Sequence, residues 1–494
     1  APCFGPLYTA NCDQLFEDQC LDSCSVDIDM PYPKESYMSY TYNCQTGFSP
    51  EQSDRMHGTI DEFRPDLVSA ANLLNTGINL IFPPQQDVTI SQNTTWDLPN
   101  VDADRGAICI DGTVTIESGA TLTVAPGVIV MFAHHSTVIV EPGAQLIMDG
   151  STFTSCDTWQ GIQVLGNSNL NQTAANQGRV FMNNGATIEH AEIGVITGSL
   201  SEGTTGGIVQ AFNGSTFRNN VMGVAFQAYE NITSGTQQNN ISSFNLCHSI
   251  INDDYRFSND EVDGKLKPFI LMSGVNGVTV RGHHFRDQRS IIDSLRPSGK
   301  TGIAADFSGF NVNEWCPGIS PLPAPPTCEG TRTRFDNLGY GIHARNINHP
   351  SFNINVRNSD FNGWHGIYLD GINAPQIYIN NFFVRQVIIP DTESENPLLI
   401  HSYGIYLDNC TNYNVEENYL EGQVDVGAPP SMDEHAGIIV RNNHEGSEII
   451  YNNQFHHLSI GVEGISQNRE EQVTGQPIED VVGLRFECND FTET

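Results

Sequence analysis

Lysine is nearly missing from this 494-residue sequence: only Lys34, Lys265, Lys267 and Lys300 occur. Lys+Arg total 22 against 58 Asp+Glu, a formal net charge of −36. Nucleic-acid binding rests on basic patches that neutralise phosphate, so this composition argues against it. Attachment to an anionic membrane surface is disfavoured for the same reason. So acidic a chain suits solubility, calcium loading or a saline setting. No apolar run of about 18 residues occurs, so no segment reads as a membrane-spanning helix. No signal peptide opens the sequence, which therefore reads as a mature form with its targeting segment removed.

Other absences narrow the chemistry. Among the 12 cysteines there is no Cys-x-x-Cys pair, and no His cluster follows one. Zinc is thereby disfavoured, and a disulfide-bonded secreted protein is the better reading. There is no Gly-x-Ser-x-Gly elbow and no His-Glu-x-x-His. Ser298-Gly299-Lys300-Thr301 resembles the tail of a phosphate loop, but Ser294 stands where the loop's first glycine belongs. Strong helix formers are also scarce. Asn, Gly, Thr, Ile and Val dominate, which favours short strands separated by turns.

What is present is a repeat: a glycine, a short apolar strand, an asparagine-rich step and an aromatic. The clearest copies begin at Gly341, Gly366, Gly404, Gly437, Gly461 and Gly483, spaced 25, 38, 33, 24 and 22 residues apart. Weaker copies begin at Gly161, Gly194, Gly223 and Gly302. Aromatic steps run between them: Ser359-Asp360-Phe361, Asn381-Phe382, Asn418-Tyr419, Asn453-Gln454-Phe455 and Asn489-Asp490-Phe491. A unit of this size cannot bury its own apolar face and must stack on the next, which is the signature of a solenoid. Between 106 and about 155 the apolar residues alternate with period two, in strands such as Thr113–Ile116 and Val128–Phe132. Turn pairs such as Pro126-Gly127 and Pro142-Gly143 separate them. Such strands also suit a sandwich. The recurring glycine-apolar strand selects an all-β, right-handed parallel β-helix, with the Asn and Phe/Tyr steps as internal columns.

Residues 1–86 read as a small Cys-rich N-terminal cap with one short helix at 65–75, and residues 87–494 as the β-helix with inserted loops. The helix rests on Pro65 in the first turn, an apolar face of Leu67, Val68, Ala71 and Leu74, and Gly77 as terminator. Segments near 165–178, 198–207, 228–245, 252–267, 286–300, 313–332, 386–400 and 421–435 break the repeat and read as loops. Loops leaving the same turn build one face, where a binding site is expected. The loop rich in proline between Cys316 and Cys328 is expected to be closed by a disulfide joining those two. The last coil, ending at Phe491, carries no cap, so either the natural chain continues or this coil meets another molecule.

Several stretches resemble large secreted right-handed β-helix proteins of the Bacteroidota, exported by the type 9 secretion system. They are Asn93-Thr94-Thr95-Trp96, Ser118–Val124, Val138–Ala144 and Cys156-Asp157-Thr158-Trp159-Gln160-Gly161-Ile162, with Gly483–Phe491 similar to recurrent coil ends. The resemblance covers the chain from about residue 87 onward. It implies a β-helix exported to the cell surface, excised from a longer precursor, and serving in adhesion, an extracellular fibre or polysaccharide binding. A fold alone does not choose among these.

Catalytic candidates are few. β-helix hydrolases need two or three carboxylates facing one groove. Asp253 and Asp254 with His283 and His284 form one candidate set; Asp360 with His365 and Asp370 forms another. Neither reproduces the polygalacturonase-like motifs, Gly282-His283-His284 being a partial match. A lyase needs a base of lowered pKa beside a cation, and four lysines supply little. Tyr340, His365, Tyr403 and His435 precede the repeated glycine and are expected to stack as one column of rings, a structural device or a sugar platform. Calcium is the cofactor to consider, with Asn100, Asp102 and Asp104 at alternate positions and Asp111 in place of the closing Glu, and with Asp260 and Asp263 in a second acidic turn. The expected function is an extracellular structural or adhesive β-helix, a segment of a surface fibre that assembles with itself or with other surface proteins. The alternative is a polysaccharide-binding or polysaccharide-degrading β-helix. Asn-x-Ser/Thr sequons stand at Asn93, Asn171, Asn213, Asn231, Asn240 and Asn409.

Overall fold

The computed structural model describes residues 87–101, 106–199, 203–255, 267–290, 298–317, 330–346, 352–385, 402–423, 435–442, 448–466, 468 and 484–492. The chain divides into two compact units, Ala1–Ile81 and Phe82–Thr494. The expected cap and its helix at 65–75 lie outside the described residues.

The described strands form three sheets of 13 strands each, all parallel. Each turn of the chain contributes one strand to each sheet, so the molecule is a parallel β-helix of thirteen coils. Sheet one opens at Val88–Ile90, sheet two at Thr94–Trp96 and sheet three at Ile108–Ile110. They close at Ile460–Ile465, Arg485–Glu487 and Asp490–Thr492. The period-two stretch behaves as its pattern dictates. Thr113–Ile116, Thr121–Val124 and Thr137–Val140 each bury alternate residues, and Val114, Val138 and Ile162 stack in register down the core.

The repeated glycine and the aromatic step explain one another. The glycines lie in sheet one at the point where the next coil's backbone and the same coil's ring both press in. A Cβ at Gly341 would stand 2.6 Å from the Phe361 ring and 2.7 Å from the Gly366 carbonyl oxygen. Gly437 meets Phe455 and the Gly461 carbonyl in the same way, and Gly461 meets Phe491. Only glycine allows this double approach. The rings it admits stack on one another: Phe285, Phe335, Phe361 and Phe382 lie at centroid distances of 4.8, 4.6 and 4.8 Å, nearly coplanar.

The asparagine column sits at the corner between sheets two and three. Asn380, Asn418 and Asn453 are almost wholly buried. Asn380 donates its backbone N–H and Nδ2 to Asn418 Oδ1 at 3.0 and 3.1 Å. Asn418 repeats both bonds to Asn453 at 3.0 and 2.9 Å, and Asn453 to Asn489 at 2.9 and 3.1 Å. The residue before each is left-handed, Ile379 at φ 59° and Glu417 at 54° among them. A corner this tight withdraws backbone groups from the sheet ladders, and the amides replace those partners.

Four sequence readings are corrected in detail. The copy at Gly483 is not a new coil: Arg485–Glu487 pairs with Ile449–Tyr451 and belongs to sheet two of the coil that Gly461 opens. The buried amide of the tenth coil is Asn380, while Asn381 faces outward and bonds Asp360. Tyr419 also faces outward, and Leu420 takes the ring's place in the column. The parity of a strand decides both, and an Asn-Asn or Tyr-Leu pair does not reveal it. Finally, the loops expected at 228–245, 286–300 and 421–435 are shorter, because Ser243–Asn245, His284–Asp287 and Tyr419–Gln423 are strands. A three-residue strand with a single inward side chain, such as Phe244, leaves no periodic trace.

Two substitutions test these columns. Gly341→Ala should cost about 1–3 kcal/mol through overpacking, and Asn418→Ala about 1–3 kcal/mol by leaving buried partners unpaired. Urea unfolding measures both. An unchanged midpoint in either variant would refute the corresponding column's role.

Candidate functional site

The candidate catalytic residues do not converge. His283 points into the core, wholly buried, with Nε2 2.9 Å from Ser249 Oγ and its ring 4.1 Å from that of Phe285. Burial drives its imidazole well below the ordinary range. His284, one residue on, faces outward and lies 2.5 Å from Asp336. Asp253 and Asp254 are exposed in the turn after His248–Ile251, where Asp253 Oδ1 accepts the Ser290 N–H at 2.7 Å. Asp360 lies on the outer face of sheet three, held by Arg332 Nε at 2.6 Å and Asn381 Nδ2 at 2.8 Å. Its proposed companions His365 and Asp370 stand on sheet one.

Of the calcium candidates, Asn100 spends its side-chain oxygen on the Asp97 N–H at 2.9 Å. Asp102, Asp104, Asp260 and Asp263 lie outside the described residues. Among the described residues no three His, Cys, Asp or Glu side chains group to hold a metal. Cys316 is disulfide-bonded. Its expected partner, Cys328, lies outside the described residues.

The side chains that do converge lie on the outer face of sheet one, in the strands Tyr340–Arg345, His365–Asp370, Ser402–Asp408 and His435–Arg441. Parallel register turns like positions into three ladders. The first is Tyr340, His365, Tyr403 and Ala436; the second is His343, Tyr368, Tyr406 and Ile439; the third is Arg345, Asp370, Asp408 and Arg441. The expected ring column is therefore present with three of its four members. His435 falls one step out of register, opposite Ser402.

The first ladder is tightly stacked. His365 lies between Tyr340 and Tyr403 at 4.7 and 4.5 Å. Burial lowers its pKa to about 4, so the ring is neutral at physiological pH. In the second ladder His343 and Tyr368 stack at 4.9 Å, 8° from coplanar, and Tyr368 and Tyr406 stand 5.2 Å apart. Burial and the nearby Asp370 and Asp408 push the Tyr368 phenol up to about 12. Burial also raises the phenols of Tyr340 and Tyr403, so these three are neutral hydroxyls, donors and acceptors at once.

The third ladder gives each carboxylate one guanidinium and one amide. Asp370 lies 3.7 Å from Arg345 and accepts from Asn409 Nδ2 at 3.3 Å. Asp408 lies 4.0 Å from Arg441 and accepts from Asn442 Nδ2 at 3.3 Å. Burial raises the Asp408 pKa, opposed by Arg441. Neither carboxylate is left unpaired to act as a general acid opposite a base.

This patch is local. The second ladder continues toward the first coils as Ala304, Leu271, Ala225, Ile196, Gln163, Ile139 and Thr115, without a ring. Sequence reasoning found His365, Tyr340 and Tyr403 but missed Tyr368, Tyr406, Asp408, Arg345 and Arg441. The available signal was the pentapeptide Gly-Ile-Tyr-Leu-Asp, which occurs at 366–370 and again at 404–408. A fold needs the glycine and the two apolar residues, but nothing in the core needs the outward Tyr and Asp.

No family model and no curated protein sequence matches the chain. Among solved structures, a mutant of the periplasmic alginate epimerase AlgG is similar at 10% identity and a TM-score of 0.34, covering 82% of this chain and 85% of that one. The Streptococcus pneumoniae surface protein and adhesin PfbA is similar at 12% identity and a TM-score of 0.31, covering 80% of this chain and 95% of that one. Among the described residues no helix is long and apolar enough to cross a membrane.

His365 gives a pH test. Its folded pKa lies near 4 and the unfolded value near 6.5, so between these pH values the unfolded chain binds the extra proton. Its contribution to stability is complete above pH 6.5 and is lost as pH falls toward 4. His365→Phe should flatten the stability profile in that window relative to the parent. Superimposable slopes would show that the ring is not held neutral.

Proposed function

We propose that this protein is an extracellular adhesive β-helix that holds a polysaccharide along the outer face of sheet one without cleaving it. The observation that carries the reading is the clustering of partly exposed Tyr340, His343, Tyr368 and Tyr406 beside the amide-held Asp370 and Asp408 over three adjacent coils. Rungs about 4.8 Å apart repeat one chemical group along a line, which suits a ligand that is itself a repeat. The partly exposed phenols of Tyr340, Tyr368 and Tyr406 offer hydrogen bonds and apolar edges together, the mixture that saccharide sites require. The rigid core fixes these groups before binding, so little ordering entropy opposes it.

The absence of a free acid and base pair in the patch supports binding over hydrolysis. Export by the type 9 route, and assembly with itself or with other surface proteins into a fibre, fit the same account: the rod gives reach and the patch gives attachment.

The test is cosedimentation of the purified chain with a panel of insoluble and cross-linked polysaccharides. Tyr368→Ala/Tyr406→Ala should weaken retention by about tenfold or more, equal to about 1.4 kcal/mol, in a chain whose circular dichroism still reports the folded β-helix. Retention equal to the parent's, or release of new reducing ends or unsaturated products, would overturn the proposal.

A further inference from the structure

A second site lies on the fourth to sixth of the thirteen coils. Three successive coils insert loops at the same turn, from sheet one to sheet two: residues 165–178, 197–207 and 227–242. Two of them border an open cavity of about 460 Å³, lined by Asn171, Gln172, Asn231, Thr233, Gln237, Gln238, Asn239 and Ile241. No lining residue is charged, in a chain that carries 58 Asp+Glu.

The amides divide into two sets. Gln172 and Asn231 are buried and tie the loops together. Gln172 Oε1 accepts the Ile241 N–H at 2.8 Å and its Nε2 donates to the Gly206 carbonyl at 3.2 Å. Asn231 Oδ1 accepts the Gln172 N–H at 2.9 Å, and its Nδ2 donates to the Asn239 carbonyl at 2.8 Å. Three loops are thus fixed to one another by side chains, which preorganises the cavity wall. By contrast, the side-chain amides of Gln237 and Asn239 make no hydrogen bond among the described residues, and both residues line the cavity. Leu170, Ile232 and Ile241 stand exposed in the same two loops.

We infer that this cavity binds a neutral sugar residue. A primary amide presents a donor and an acceptor side by side, matching adjacent hydroxyls, and the exposed Ile241 side chain in the wall suits the apolar face of a sugar ring. A wall without charge supplies no partner for a uronate or sulfate. The burial of Asn231, and of Asn240 beside it, also shows that these two sequons serve the loop framework and are not open to a glycan.

The experiment is saturation-transfer NMR on the intact chain, with glucose, galactose, mannose and N-acetylglucosamine as probes at about 10 mM, in the range of weak sugar affinities, and glucuronate as the charged comparison. At least one neutral sugar should receive saturation. Measured in the Tyr368→Ala/Tyr406→Ala background, which removes the sheet-one patch from the readout, Gln237→Ala/Asn239→Ala should weaken the transfer by about tenfold. The alanine changes fall in exposed loops, and the unfolding midpoint checks the fold. In that background, no transfer to any neutral sugar, transfer that survives Gln237→Ala/Asn239→Ala, or equal transfer to glucuronate would overturn the inference.

Discussion

Everything described depends on coils meeting in strict register. The interlock of a glycine, the carbonyl of the next coil's glycine and the ring of its own coil sets that register on one side. The Asn380, Asn418, Asn453 and Asn489 ladder sets it on another. Neither device is strong alone: each amide bond is worth about 1 kcal/mol net, and ring stacking about as much. They act through repetition, and through the cost of any slip. A shift of one residue would push Phe361 outward and Asp360 into the core, and an unpaired buried carboxylate is among the most unfavourable groups a core can hold.

Register turns a sequence repeat into a surface. Because like positions stack, two copies of Gly-Ile-Tyr-Leu-Asp place Tyr over Tyr and Asp over Asp on the outer face. The placement of Asp beside Asp would repel, were Arg345 and Arg441 not supplied by the flanking coils in the same ladder. The order Arg, Asp, Asp, Arg reads as a closed charge arrangement with no residual acid. The loops add a different kind of site. They do not stack, and their geometry is set by individual buried amides such as Gln172.

The fold was legible in the residues because its determinants are local and periodic. Gly366 and Phe382, or Pro142-Gly143 between two alternating strands, carry their own explanation. The candidate site was legible only in part. Tyr340, His365 and Tyr403 stood out because they precede a marked glycine. Tyr368 and Tyr406 were hidden inside the strand that the fold reading absorbed. The facing of His283, inward against Ser249, and of Tyr419, outward against His456, depends on strand parity at a bend that no period reports. The cavity near Gln172 was foreshadowed only as a set of loops leaving one turn. Its longest contacts span 59 and 69 residues of sequence, and pairings at that distance leave no local mark.

Leu420 stands in the inner column between Phe382 and Phe455, where the coils above and below supply rings. An isobutyl group in place of a stacked ring removes the coplanar contact on both of its sides. The eleventh coil is therefore one seam of the stack, as is the sixth, where Ser249 stands between Phe217 and Phe285, and its amide hydrogens should exchange sooner than those of the ring-stacked coils beside it. It is also the coil that carries Tyr403, Tyr406 and Asp408 on its outer face. A ligand spanning the patch would bridge this seam from outside, so the described coils would be stiffest when loaded and most compliant when empty.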